Sequence, residues 1–287
     1  MERIGKTVFL QNMHERMAAN IEISRQREEE YYNSGLIQLP LWHEEKRGAP
    51  NSFLRSALFA AIQSKDRVDM KEAEIFSQQG VTIKYTGEQL NQEDMAIWLA
   101  LVDLMKQDPL GTQCSFTAHS ILKYMGMDTG GKSHEQLRRS ILRMTACAVV
   151  IKFERRTYGG SIIGDFTIDD DNQRYRITLN RNLIKLFADN DWTAISFPQN
   201  NQLKGKPLAL KLHGYYSSHE KPLALTLEFL SKLTGSNNTQ LRDFKRRLKT
   251  ALDELVKIDF LKSYSIEGNM VKVERTPKPH RAIDRSQ

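Results

Sequence analysis

"GMDTGGKS", Gly126 to Ser133, satisfies the phosphate-loop pattern G-x-x-x-x-G-K-[ST] letter for letter, and its reading decides between two folds. A phosphate loop requires a strand that delivers glycine-rich backbone onto a helix N-terminus, where amides cradle the anion and the Lys and hydroxyl manage charge and Mg²⁺. The preceding residues do not read as a strand. In "CSFTAHSILKYMGM", Thr117 caps a short helix with Ile121, Leu122 and Met125 on its apolar side, and Gly126 stops it. After the octet, Ser133 is expected to cap "HEQLRRSILRMTACA", which puts Leu137, Ile141, Met144 and Ala148 on one face. "VVIKFERRTYGGSIIGDF" and "QRYRITLN" then read as strands joined by Gly-bearing turns. Helix, turn, helix and hairpin is the order of a winged helix, with the octet as its turn. "LALVD" lies upstream inside the capped helical run "NQEDMAIWLALVDLMKQDP", so it is not the acidic strand of a nucleotide site.

The same order recurs downstream. "GKPLALKLHGYYSS" and "LTLEFLSKLTG" read as helices, "SNNTQLRDFKRRLKTALDELVKIDF" as a long third, and "LKSYSIEGNMVKVER" as a hairpin. Aligning the copies pairs Thr117 with Thr226, Lys123 with Lys232 and Gly126 with Gly235. Closing the longer first loop pairs Gln136, Leu137 and Arg138 with Gln240, Leu241 and Arg242. The expected fold is therefore α+β and mostly helical, with two tandem winged-helix domains behind a flexible N-terminal arm. The expected boundaries are an arm and linker over 1–50, domains over 51–200 and 201–276, and a tail over 277–287. Within the first domain, "NSFLRSALFAAI" shows helical spacing through Phe53, Leu54, Ala57, Leu58 and Ala61.

The 287 residues carry a net charge of +7 and a pI near 9.3, which favours an anionic partner, with nucleic acid ahead of a membrane surface. Two cysteines, Cys114 and Cys147, and scattered histidines argue for a reducing compartment and against structural zinc. No apolar run suits a membrane span and the N-terminus lacks a signal-peptide core, so a cytoplasmic protein without metal or cofactor is expected. No catalytic constellation competes: His213 and His219 fall on different helix faces, and "DFTIDDDNQ" lacks the Gly and terminal Glu of a calcium loop.

A DNA-reading helix needs cations for phosphates and donors for base edges near its start. In the second domain Leu241, Phe244, Leu248, Leu252 and Leu255 form the apolar stripe. Asn238, Thr239, Gln240, Arg242, Lys245, Arg246 and Lys249 are left as the expected interface. The first domain offers Lys132, Ser133, His134, Gln136, Arg138, Arg139 and Arg143. Its wing offers Arg155, Arg156 and Tyr158, and the second wing offers Lys272 and Arg275. A solvated basic face is the competing explanation for such charge.

One apolar segment stands apart. "QLPLW", Gln38 to Trp42, sits in linker-like sequence, and something must cover its Leu39, Leu41 and Trp42. Either it folds back as an anchor or it docks in a partner. The pentapeptide resembles the bacterial sliding-clamp motif Gln-Leu-x-Leu-Phe, in which Gln38 would fix register and Leu41 and Trp42 would anchor.

Four stretches, "PNSFLRSALFAAIQ", "QDPLGTQCSFTAHSILK", "RMTACAV" and "GKPLALKLHGYYSSHEKP", resemble the TrfA-type plasmid replication initiators, and the likeness spans nearly the whole chain. The resemblance implies two winged helices that bind double-stranded iteron DNA at a plasmid origin and help open the adjacent DNA. Contact with single-stranded origin DNA stays open. It further implies recruitment of the host sliding clamp, replicative helicase and host initiator, and a homodimer in equilibrium with an active monomer. A winged-helix repressor or copy-number regulator without a recruitment role shares every DNA-contact argument.

Overall fold

Helix α2 (Gln92–Met105) starts where its sequence caps it. Asn91 Oδ1 accepts from the amides of Glu93 (3.0 Å) and Asp94 (3.3 Å), and Asp94 Oδ2 accepts in return from Asn91 N–H at 3.0 Å. This is a computed structural model, and it describes residues 39–277 apart from 79, 107–111, 154, 155, 170 and 237–239.

Beyond α2 come strand β4 (Gln113–Thr117), helix α3 (Ala118–Tyr124), helix α4 (Gly131–Ala146) and the hairpin β7 (Ile163–Asp169) with β8 (Arg174–Leu179). These strands form an antiparallel sheet in the order β4-β8-β7. Later in the chain, helix α7 (Pro207–Ser217) precedes β10 (Leu225–Thr226), α8 (Leu227–Leu233) and α9 (Leu241–Lys257). Hairpin β11 (Leu261–Glu267) with β12 (Met270–Arg275) ends the run, with sheet order β10-β12-β11. The two runs share their element order and sheet topology.

The aligned residues have matching local roles. Thr117 Oγ1 caps α3 by accepting from Ser120 N–H (3.2 Å), and Thr226 Oγ1 caps α8 by accepting from Phe229 N–H (3.1 Å). Gly126 and Gly235 end these helices at φ +63° and +61°, a left-handed conformation that suits glycine. In each, the next amide reaches back five residues: Met127 N–H to Leu122 O at 2.8 Å, and Ser236 N–H to Ser231 O at 3.1 Å.

The first run carries an insertion that the sequence did not separate from its hairpin. β5 (Ala148–Phe153) and β6 (Arg156–Gly160) join β2 (Asp69–Ile75) and β3 (Val81–Glu88) in a four-stranded sheet ordered β2-β3-β5-β6. Residues 156–160 thus belong to a different sheet from the hairpin beside β4, and the protein is mixed α/β, with more strand than the mostly helical expectation allowed. Ala148, assigned to the apolar face of α4, is an exposed strand residue.

Two further expectations change. "NSFLRSALFAAI" is helical only over α1 (Asn51–Leu54), after which a turn-rich segment continues to Ile62. Every residue from 51 to 62 except Arg55 is buried. The linker expected before residue 51 is also folded in part, because β1 (Lys46–Pro50) pairs with β9 (Trp192–Ser196). Between β8 and β9 lies the short α5 (Arg181–Ile184), and α6 (Phe197–Gln202) precedes α7. The described residues from Leu39 onward belong to one compact unit, in which the expected regions 51–200 and 201–276 share a buried seam.

Candidate nucleic-acid interface

Gly126 to Gly130 form a turn between two helices, and the last three residues of the octet open the second. Helix α4 begins at Gly131 with Gly130 as its N-cap, three residues before the expected start. Asp128 Oδ2 accepts from Gly130 N–H (3.1 Å) and from Ser133 Oγ (3.3 Å). The chain's own carboxylate therefore sits at the helix N-terminus, where a phosphate loop would hold its anion. Ser133 is tied to Asp128 and is not the cap.

Helix α4 buries Leu137, Ser140, Ile141 and Met144. Its opposite side is charged: Lys132, Arg138 and Arg139 are exposed, and Ser133, His134 and Gln136 are half-buried. Arg138 Nε lies 3.0 Å and Arg139 Nε 2.7 Å from the carboxylate of Glu135. Their hydrogen bonds hold the Glu135 carboxyl down at about 2, so it is ionised at any working pH. Arg143 is a different case. Its guanidinium meets Asp94 Oδ1 at 2.7 Å and Glu88 Oε2 at 3.0 Å, while Asp94 also accepts from Arg67 (2.7 Å) and Ser140 Oγ (2.6 Å). Arg143 fastens α4 to α2 and is not available as an interface residue.

Helix α9 buries Phe244, Leu248, Ala251, Leu252 and Leu255. Leu241, expected in this stripe, is 38% exposed in the first turn. Arg242, Arg246 and Lys249, at i, i+4 and i+7, are exposed along one face, with Asp243 3.9 Å from Arg246. Gln240 is the exposed N-cap residue. Lys245 is half-buried and donates to Gly268 O at 3.1 Å, tying the helix to the hairpin turn. Asn238, Thr239 and Arg155 lie outside the described residues, as does the side chain of Arg156.

The hairpins differ in charge. At the β11–β12 hairpin Lys272 is exposed, but Arg275 turns inward, donating to His219 O (2.9 Å) with its guanidinium 5.0 Å from the centre of the Phe260 ring. The β7–β8 turn closes on itself: Asp169 accepts from Asp171 N–H (3.0 Å) and Asn172 Nδ2 (2.7 Å). Beside it, Arg174 and Arg176 are exposed cations that sequence reasoning passed over. The alternation of "RYRITL" was their signal, since Tyr175 and Ile177 face the core.

The segment after Gln38 is an anchor. Gln38 itself lies outside the described residues. Leu39 is 2% exposed and Trp42 9%, whereas Leu41 is 77% exposed. Trp42 Nε1 donates to Asp103 at 2.5 Å, and its ring lies 6.0 Å from Phe187 and 5.6 Å from Trp192. Asp103, the acid of "LALVD", also meets Arg47 at 3.2 Å and Lys106 at 2.7 Å. With Leu39 and Trp42 held in the core, the described part of the segment has the geometry of the fold-back alternative. His213 is likewise a core residue, its ring 4.5 Å from Phe260 and its imidazole pushed down to about 3 by burial. Among the described residues no cluster of His, Cys, Asp and Glu suits a metal, and no helix is long and apolar enough to cross a membrane.

The family model described as TrfA protein matches residues 4–275, and the chain belongs to that family. The plasmid replication initiator protein TrfA of Escherichia coli is 25% identical over 259 residues, which covers 88% of this chain and 67% of that protein. Among solved structures, domains 2 and 3 of RctB superpose with a TM-score of 0.55 at 14% identity, over 80% of this chain and 99% of that one. The Pi initiator protein in complex with iteron DNA gives a TM-score of 0.46 at 13% identity, over 71% of this chain and 100% of that one.

Proposed function

We propose that this member of the TrfA family is a plasmid replication initiator that grips duplex DNA through two winged-helix units, with α4 and α9 as the reading helices. The observation that carries the reading is the repeated unit: two runs of one topology, each with a helix after the turn that exposes cations opposite its buried stripe. On this reading Arg138, Arg139, Arg242, Arg246, Lys249 and Lys272 meet DNA, with Lys132 at a backbone phosphate. Gln136 and Gln240 are the uncharged donors placed near base edges. Asn238 and Thr239 belong to the same proposed set. Repeated iteron sites, opening of the adjacent origin DNA and recruitment of host replication proteins extend the proposal by family likeness. Recruitment has no residue-level support from "QLPLW".

The test is duplex binding by the full chain across a salt series. With six to ten phosphates neutralised, affinity should fall by about 10³ to 10⁵ between 50 and 200 mM salt. Arg242→Ala should cost about 1 to 3 kcal/mol and relax base preference, whereas Lys249→Ala should weaken all sequences alike. Binding indifferent to both substitutions sinks the assignment of α9. Footprints spread over a tandem array support the initiator, and a footprint on a single operator supports the regulator.

A further inference from the structure

The buried segment 51–62 is bonded on both sides. Toward the first run, Ala57 N–H donates to Phe76 O (2.7 Å), Ala60 N–H to Leu90 O (2.9 Å) and Gln92 Nε2 to Phe59 O (2.6 Å). Toward the second, Ala61 N–H donates to Thr234 O at 2.7 Å, in the turn that ends α8. A Cβ on the neighbouring Gly235 would come within 2.8 Å of Ala60 Cβ, so the second helix turn rests directly on this segment. Arg55 reaches Ser218 at the end of α7, with Nε 3.0 Å from Oγ and Nη2 2.5 Å from the carbonyl.

Two lysines from the second half close the seam. Lys211 on α7 is buried and donates to the carbonyls of Phe53 (3.2 Å), Leu54 (3.3 Å) and Ser56, satisfying acceptors freed where α1 ends. Lys204, between α6 and α7, donates to the carbonyls of Met125 and Gly126 (2.9 Å) at the end of α3, in the first helix turn itself. Both helix turns are thereby fastened across the seam, one at Gly126 and the other at Thr234 and Gly235. A flexible linker between two DNA-binding units would leave their separation free. These bonds remove that freedom.

We propose that this seam fixes the spacing and phase at which the two helix-turn-helix units meet DNA, with Arg55, Lys204 and Lys211 as positioning residues for site-spacing specificity. The inference rests on the DNA-binding reading above and adds a geometric constraint to it. One inserted base pair turns the far half of a site by about 35° and moves it about 3.4 Å, more than a bonded seam absorbs.

The probe is a duplex selected from a random pool by the full chain, remade with insertions of one, two and five base pairs between its two protected segments. The wild type should lose at least about tenfold in affinity with two inserted pairs. The Arg55→Ala, Lys204→Ala double variant and, separately, Lys211→Met should lose less than about threefold while binding the parent site within a fewfold of wild type. An equal loss in folded variants overturns the inference, as does a wild type indifferent to insertion. Calorimetry without DNA reads the seam independently: one transition in the wild type, splitting or broadening in the variants. Failure to select any duplex sinks the DNA reading and the spacing claim with it. Strict spacing with unchanged calorimetric cooperativity sinks the seam alone.

Discussion

The Arg143 guanidinium lies 2.7 Å from Asp94 Oδ1, a carboxylate closed to solvent, although Arg143 stands on the helix whose Arg138 and Arg139 are open. Position on a helix therefore does not assign function to its arginines; the partner on the neighbouring helix does. Arg143→Ala removes one cation from a buried acid that keeps Arg67, and the expected cost is about 3 kcal/mol of stability. DNA affinity of the folded protein should stay near wild type. Arg138→Ala should do the reverse, lowering affinity with the midpoint of thermal unfolding unchanged. Unfolding curves and binding titrations on both variants check the pair.

Glu135 binds the two arginines that a phosphate would need. Because those contacts hold its carboxyl at about 2, it competes with DNA at every working pH. Glu135→Gln should raise duplex affinity severalfold at low salt, with the two proteins converging as salt screens exposed charge. Equal affinity at all salt concentrations would place α4 away from the DNA. Fluorescence anisotropy over a salt series makes the measurement.

What was legible in the sequence was local. Thr117 and Thr226 as caps, and Gly126 and Gly235 as stops, act on backbone within a few residues of themselves, so their chemistry could be read without the fold. What escaped depends on distant partners. The apolar spacing of residues 53–61 fits an amphipathic helix as well as a fully buried segment, and periodicity does not separate the two. The outcome was set by partners such as Phe76, Leu90 and Thr234. Strand β5 had every hairpin signal, but its pairing with β3 joins Val150 to Lys84, far back along the chain. Arg143 looked like its neighbours because Asp94 lies in another helix.

Trp42 and Leu41 give opposite expectations under the two readings of their segment. As an anchor, Trp42→Ala vacates a site between Phe187 and Trp192 and strands Asp103 without one of its donors, at a cost of about 3 to 5 kcal/mol. Leu41→Ala, at a largely exposed position, should change stability by less than about 0.5 kcal/mol. As a clamp ligand the segment would show both substitutions stable, and both blind to a sliding clamp that binds the wild type. Denaturant unfolding and a pull-down with purified clamp separate these outcomes.

Lys211 makes the pH dependence of folding a test of the seam. Burial pushes its amine from the ordinary 10.5 down to about 7, against the pull of three carbonyl oxygens that favour the charged form. Below about pH 7 both folded and unfolded chains carry the proton, and the folded one holds a charge in its core. Between about 7 and 10.5 the unfolded chain still binds the proton and the folded one does not, so the unfolded state binds more protons and stability rises with pH. Above 10.5 neither binds it and the contribution is constant. From pH 7 to pH 9 the wild type should gain up to about 2 kcal/mol from this group. Lys211→Met has no proton to lose and should lack that gain, so the difference between the two proteins' urea-unfolding free energies should widen with pH in favour of the wild type. The neutral amine keeps two N–H donors for three carbonyls, so deprotonation gives up one hydrogen bond and leaves the rest of the clasp in place. Parallel pH profiles for the two proteins would mean that Lys211 reaches solvent and that the contact between α7 and the end of α1 is open in solution.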